Sequence, residues 1–322
     1  MIPLTEANVV EYARRRGLIG RDETPRVERL SGGVACQVLR LHAARGAIVI
    51  KQARERFRVA ETWLADPRRN WLEAQFQTLA WQALRAEHVP EVLDEDRENF
   101  CFAMASAPLD GQNWKTLMLG GDVRPELGAQ CARLLVNLHR IPPDDVRVPP
   151  EARDSRFFYQ QRIEPYFEFT AARHPDAPEI RALIQALAGQ HCVTHGDYTP
   201  KNFLVTDGTL ILLDYEVVHV GLGEFDIASI VNHLTLKMFH LPAHRAVLRE
   251  TAERFLDELL FEGVKLPDWW LALLGGLMLA RVDGKSPAEY LREPDKSRIR
   301  EMAKRLLRRR FASYDEFQAG AF

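Results

Sequence analysis

The spacing of apolar residues changes character along the chain, from period two to period three or four, and that change predicts the architecture. Val9, Val10 and Tyr12, following Thr5 and Glu6, predict a first helix with Thr5 as its N-cap and Gly17 as its stop. Alternation then takes over through Val27, Leu30, Val34, Val38, Leu39 and Leu41, interrupted by Ser31-Gly32-Gly33. This predicts two strands around a glycine turn. Ala47 to Gln52 is a short apolar strand that carries Lys51 near its end. Helical spacing returns from Arg69 to Glu87, with Leu72, Phe76, Leu79, Ala80 and Leu84 on one face. His88 to Leu93 and Phe100 to Met104 read as two more strands around a turn at Asp94 to Asp96, and Ala105 to Pro108 as a hinge.

Beyond that point the pattern is mostly helical. Val123 to Leu138 is amphipathic, and His139 ends it as a cap for the last carbonyls. Further helices are expected at Phe157 to Arg173, Glu179 to Leu187, His244 to Phe261, Pro267 to Arg281, Pro287 to Leu291 and Lys296 to Arg310. The most apolar stretch, Trp269 to Ala280, is about a dozen residues long, too short to span a bilayer and suited to a buried helix. The pattern predicts an α+β chain, with a strand-rich part at 1–104, a hinge at 105–109 and a helical part at 110–322.

Composition narrows the classes. The 322 residues are 46% hydrophobic and 27% charged with a formal net charge of -2, which gives no electrostatic case for a nucleic-acid or membrane partner. Cys36, Cys101, Cys131 and Cys192 are scattered without a C-x-x-C pair. They read as small core hydrophobes in a reducing cytoplasm. The N-terminus lacks a basic segment followed by an apolar run, so no signal peptide is expected and the predicted location is cytoplasmic.

The chemistry concentrates in Val193 to Val205 and Leu210 to Glu216. His195, Asp197 and Asn202 have the H-x-D-x-x-x-x-N spacing of a kinase catalytic loop, and Asp214 closes the next strand. An aspartate beside an acceptor hydroxyl can orient it and take its proton. An amide oxygen and a second carboxylate are hard ligands suited to Mg²⁺ on ATP phosphates. Polar turn residues of a plain hairpin are the blander reading. Upstream, Gly32-Gly33 can cover phosphates or simply make a β-turn. Lys51 stands where a kinase lysine reaches phosphates or is merely solvated, and Glu73 can pair with it or favour a helix start. Met104 and Ser106 flank the hinge that would meet adenine, and Asp226 reads as a buttress of the catalytic loop. Gly221-Leu222-Gly223 lacks the third glycine of a dinucleotide fingerprint. The basic side of the last helix reads as a solvated face.

The order Gly32-Gly33, Lys51, Glu73, His195-Gly196-Asp197, Asn202 and Asp214 resembles the aminoglycoside phosphotransferase and choline kinase group of protein-kinase-like enzymes, over nearly the whole chain. His-Gly-Asp in place of His-Arg-Asp, and the lack of Asp-Phe-Gly and Ala-Pro-Glu, separate it from protein kinases. The first half is most similar to methylthioribose kinase, through Pro3 to Glu6, Val49 to Ala53, Arg58-Val59, Glu61 to Trp63, Arg69 and Glu73. Asp214-Tyr215-Glu216 and Phe225 to Ala228 resemble choline kinase as closely, and Asn202 matches the aminoglycoside and choline form. The resemblance implies a bilobal fold with a small antiparallel-sheet lobe and a larger helical lobe. It implies transfer of the ATP γ-phosphoryl to a hydroxyl of a sugar or amino-alcohol, with an aminoglycoside or choline/ethanolamine kinase as the alternative. Asp197 would be catalytic, Asn202 and Asp214 would hold Mg²⁺, and Lys51 with Glu73 would bind phosphates under Gly32-Gly33. His195, Glu216 and Asp226 would support the loop, and Arg281 would meet the substrate as in the arginine-bearing segment of methylthioribose kinase. A monomer or homodimer with a small-molecule partner is expected. A nucleotide-binding scaffold without turnover is the third reading, and the full set of catalytic residue types stands against it.

Overall fold

The computed structural model describes residues 2–30, 35–56 and 64–322; Gly32, Gly33, Arg58, Val59, Glu61, Thr62 and Trp63 lie outside the described residues. The first part holds α1 (Val9–Arg15), β1 (Arg26–Arg29), β2 (Cys36–Ala43), β3 (Gly46–Ala53), α2 (Arg69–Ala83), β4 (Val92–Asp96) and β5 (Cys101–Ala105). These strands make one antiparallel sheet in the order β1-β2-β3-β5-β4. Successive side chains of a strand alternate faces. Leu39, Leu41, Ile48, Ile50, Cys101 and Ala103 therefore pack with Val9 and Tyr12 of α1 on one face. Lys51, next in sequence to Ile50, takes the other face. The aspartates expected to form a turn instead end β4. Asp94 pairs with Arg16, the residue after α1, at 2.7 Å and Asp96 accepts from the Tyr12 hydroxyl of α1 at 2.9 Å, so both are tied to the N-terminal helix and its cap.

The second part begins with β6 (Gln112–Asn113), α3 (Trp114–Leu119) and α4 (Glu126–His139). Then come α5 (Arg156–Phe158), a π-helix at Tyr159–Glu168, α6 (Phe169–Arg173) and α7 (Glu179–Ala186). Next are β7 (Cys192–Thr194), β8 (Phe203–Thr206), β9 (Thr209–Leu212) and β10 (His219–Gly221). The chain finishes with α8 (Gly223–His240), α9 (Arg245–Phe261), α10 (Trp270–Asp283), α11 (Glu293–Leu307) and α12 (Tyr314–Ala321). The fold is bilobal and protein-kinase-like, a small antiparallel-sheet lobe beside a larger helical one.

The helix expected from Phe157 to Arg173 is thus wound as a π-helix over most of its length, with Pro165 inside it. Proline has no N–H and cannot sustain the i→i−4 ladder, and widened turns of this kind recur at functional sites. Pro287 to Leu291 is a turn rather than a helix, tied back by Ala288 N to the Arg281 carbonyl at 2.7 Å. Two short helices escaped the periodicity. Asn113 caps α3 and Ser313 caps α12, each side chain accepting from a backbone N–H three residues on. The apolar stretch Trp269 to Ala280 lies in buried α10, where a Cβ on Gly275 would stand 2.7 Å from the Ala303 carbonyl oxygen of α11. Only glycine permits that helix approach. Among the described residues, no helix is long and apolar enough to cross a membrane.

Candidate active site

The loop between β7 and β8 is held from below. Asp226, in the first turn of α8, is fully buried and accepts from the N–H groups of His195 at 2.7 Å and Gly196 at 2.8 Å. His139, at the end of α4, adds a third contact to Asp226 at 3.1 Å. Its imidazole thus reaches across to α8, where sequence periodicity suggested only a helix cap. Gly196 has φ +73, and a Cβ there would meet the Val217 carbonyl oxygen at 2.5 Å, so no other residue fits the turn. His195 is buried, its Nδ1 accepting from Asp197 N at 3.2 Å and its Nε2 facing the Leu213 carbonyl at 3.2 Å. Burial outweighs the nearby carboxylates and lowers its pKa. The ring is a neutral strut of the loop.

Asp197 emerges from this support with every carboxylate oxygen engaged. Arg162 of the π-helix pairs with Oδ1 at 2.7 Å, and Lys201 meets Oδ2 at 2.8 Å. Asn202 donates through Nδ2 to Oδ2 at 2.8 Å and to the Asp197 carbonyl at 2.8 Å. Burial alone would raise this carboxyl, yet the charges of Arg162 and Lys201 and the hydrogen bonds of Lys201 and Asn202 hold it well below the usual carboxylate range. It is an ionised acceptor at neutral pH. Arg162 and Lys201 were given no role on sequence grounds. Lys201 sits inside the loop at i+4 from Asp197 and was legible there; Arg162 lies 35 positions away on a distorted helix, and no spacing rule connects it.

Asp214 follows β9 with φ +73, an uncommon backbone for a residue other than glycine. Leu213 N bonds to the Asn202 carbonyl at 2.9 Å and joins this turn to the catalytic loop. Asp214 pairs with Lys51, which also pairs with Glu73 of α2 at 2.6 Å. Burial would lower the Lys51 pKa, but Asp214 and Glu73 outweigh it, so the ammonium stays charged. Burial, with Asp214 and Glu216 adding to it, pushes Glu73 up to about 8 against the pull of Lys51. Two acids share one ammonium. Glu216 is held by Arg69, whose Nε stands 3.0 Å from Oε2 and whose terminal nitrogens bind the Ala35, Arg54, Ala65 and Asp66 carbonyls. Cys36, Glu73 and Glu216 are close enough to resemble a metal cluster. Lys51 and Arg69 already neutralise the two carboxylates, so ion pairing accounts for it.

The residues present fit a hard cation. Among the described residues, neither Asn202 Oδ1 nor Asp214 Oδ2 accepts a hydrogen bond, while the other polar atoms of the same side chains are committed to Asp197 and Lys51. Two oxygens are left for Mg²⁺. Met104 and Ser106 lie at the end of β5 and just beyond. The Met104 sulfur takes a contact from Gln77 at 3.3 Å, and the Ser106 N–H is spent on the Ala47 carbonyl at 2.9 Å. An adenine contact at Ser106 is therefore left to its carbonyl. Arg281 lies elsewhere in the helical lobe, touching Tyr166 and Ser286.

Fold and site together define a kinase-like phosphotransferase. The model of the phosphotransferase enzyme family matches residues 26–260, and the chain belongs to that family. It is a phosphotransferase with an alcohol group as acceptor. The fold is similar to a choline/ethanolamine kinase family protein from Mesorhizobium loti, with 16% identity, 97% of this chain and 90% of that chain covered, and a TM-score of 0.53. A spectinomycin phosphotransferase solved with ADP and spectinomycin is similar at 12% identity, 100% and 98% coverage and a TM-score of 0.56. The choline kinase of Streptococcus pneumoniae is similar at 13% identity, 98% and 95% coverage and a TM-score of 0.52. No curated protein sequence matches the chain.

Proposed function

We propose that this protein is an ATP-dependent small-molecule kinase that moves the γ-phosphoryl of MgATP to a hydroxyl of a sugar or amino-alcohol. One observation carries the reading: the ionised Asp197, hydrogen-bonded to Asn202, lies within electrostatic reach of Asp214, which pairs with Lys51. In the transfer, Asp197 orients the acceptor hydroxyl and takes its proton. The acceptor oxygen bonds to the γ-phosphorus, the bond to the β–γ bridging oxygen breaks, and ADP leaves. Lys51, steadied by Glu73, neutralises phosphate charge, while Met104 and Ser106 border the adenine; a phosphate-covering role for Gly32-Gly33 rests on the resemblance. Asn202 and Asp214 would hold Mg²⁺, which supplies charge neutralisation on the phosphates. Most of the rate comes from positioning and electrostatics. Residues 1–104, 105–109 and 110–322 serve as nucleotide lobe, hinge and acceptor lobe, and a monomer or homodimer acting in the cytoplasm fits this role.

The methylthioribose-like first half favours a sugar acceptor. The structural neighbours named for choline, ethanolamine and spectinomycin make an amino-alcohol or aminoglycoside the alternative. The test is ADP release from MgATP across such acceptors, with Asp197→Ala beside the wild type. Turnover lost in the variant supports the assignment, and equal turnover in both proteins removes Asp197 from the mechanism.

A further inference from the structure

Beyond Asp197, the helical lobe presents cations that no carboxylate answers. Arg281 of α10 is 9% exposed. Its guanidinium touches only neutral oxygens, the Tyr166 hydroxyl at 3.2 Å and the Ser286 hydroxyl at 2.9 Å, and its Nε has no partner. Lys237 of α8 is fully buried and donates only to the His233 carbonyl of its own helix at 3.2 Å. Its ammonium stands 5.5 Å from the centroid of the Tyr290 ring, whose hydroxyl is likewise unpartnered. Among the described residues, neither cation has an acidic partner within ion-pairing distance. Glu289, whose charge reaches both, is taken by Lys115.

Arg281 is linked to the reacting carboxylate through one aromatic ring. The Tyr166 ring has the Arg162 guanidinium 5.3 Å from its centroid and that of Arg281 at 5.7 Å, and Arg162 is the residue on Asp197. His233 lies in the field of Arg281, Lys237 and Asp197; burial and the two cations keep it neutral, so it supplies no countercharge. A buried cation without a counter-ion is costly, and a ligand that brings the missing charge removes the cost.

We propose that the acceptor is a hydroxyl compound carrying an oxyanion, a carboxylate or a phosphate, which Arg281 and Lys237 bind while its hydroxyl faces Asp197. This rests on the kinase reading above and narrows its acceptor. The guanidinium fork matches the paired oxygens of either anion, and the ammonium adds a point charge. Choline and aminoglycosides would bring like charge to the same wall.

ADP release is measured with MgATP and four acceptor groups. They are hydroxy-carboxylates (glycerate, gluconate, homoserine), sugar and glycerol phosphates, neutral compounds (methylthioribose, ribose, glycerol), and cations (choline, ethanolamine, aminoglycosides). One anionic group is expected to show kcat/KM about tenfold or more above the neutral group, and which one responds separates carboxylate from phosphate. Arg281→Lys and Lys237→Met should each raise the KM for that acceptor about tenfold, with kcat and the KM for ATP changed far less. Turnover confined to the neutral or cationic group overturns this inference and leaves the kinase reading intact. Unmoved acceptor KM in both variants also overturns it. Release in no group above the Asp197→Ala background overturns both readings together.

Discussion

The acidic wall and the basic wall of the site balance their buried charges differently. On the nucleotide side, Glu73, Asp214 and Glu216 face Lys51 and Arg69, and burial pushes Glu73 up to about 8, so a proton on Glu73 makes up for the missing cation. On the acceptor side, Asp197 is paired with Arg162 and Lys201, while among the described residues Arg281 and Lys237 have no acid within ion-pairing distance. A buried charge without compensation is expensive. The acidic wall suits Mg²⁺, and the basic wall suits phosphate and, by our inference, an anionic acceptor.

The largest expected effect is on the basic wall. Asp197→Ala should lower kcat by roughly 10²- to 10⁴-fold, the range for loss of a general base, with ATP affinity by calorimetry preserved. On the acidic wall, Lys51→Met leaves Glu73 and Asp214 without their shared cation. Urea unfolding should register a loss of about 3 kcal/mol, moderated because Glu73, pushed up to about 8, can take a proton. A loss of stability from Lys51→Met no larger than that of a surface lysine would undo the contrast between the walls.

Arg162→Gln sharpens the comparison through pH. Arg162 is the foremost charge holding the Asp197 carboxyl down. Without it the folded pKa rises, and the acidic limb of the kcat–pH profile moves to higher pH. A limb that stays in place would assign Arg162 to packing alone.

The smallest effect is on stability at Lys237. Burial first, then Lys115 and Arg281, push its pKa down to about 7, with Glu289 opposing; His233 and Tyr290 also face it. Between pH 7 and its unfolded value of about 10.4, the unfolded chain holds a proton that the folded chain has lost. Stability from this group therefore rises with pH through that window. Lys237→Met should flatten the rise and raise the melting temperature at pH 7 by about 2 °C. A fall in melting temperature would mean that the ammonium stabilises the free protein.

Much of this was legible in one dimension because the governing interactions are local. Alternation placed Lys51 opposite Ile50 on the sheet, and five positions are the separation over which Asn202 folds back on Asp197 in a single loop. Glu73 was legible because a helix start fixes which residues share its first turns. The covering turn at Gly32-Gly33 falls outside the described residues, and its role rests on the resemblance. What escaped the sequence is long-range. Arg162 reaches Asp197 from a π-helix 35 positions away, and His139 meets Asp226 across 87 positions. Arg281 was singled out only by resemblance and Lys237 not at all, and no local pattern reports that both are buried without a counter-ion. The sequence by itself determined the order of strands and helices and the spacing that points to phosphoryl transfer, since periodicity and short spacings encode them, and the two-lobed fold followed from the resemblance. The tertiary structure alone decided which charges lost their water and which found no partner. That depends on Arg162 of the π-helix and Arg281 of α10 meeting at Tyr166, and on Lys237 of α8 meeting Tyr290, and desolvation is a property of the whole assembly of neighbours.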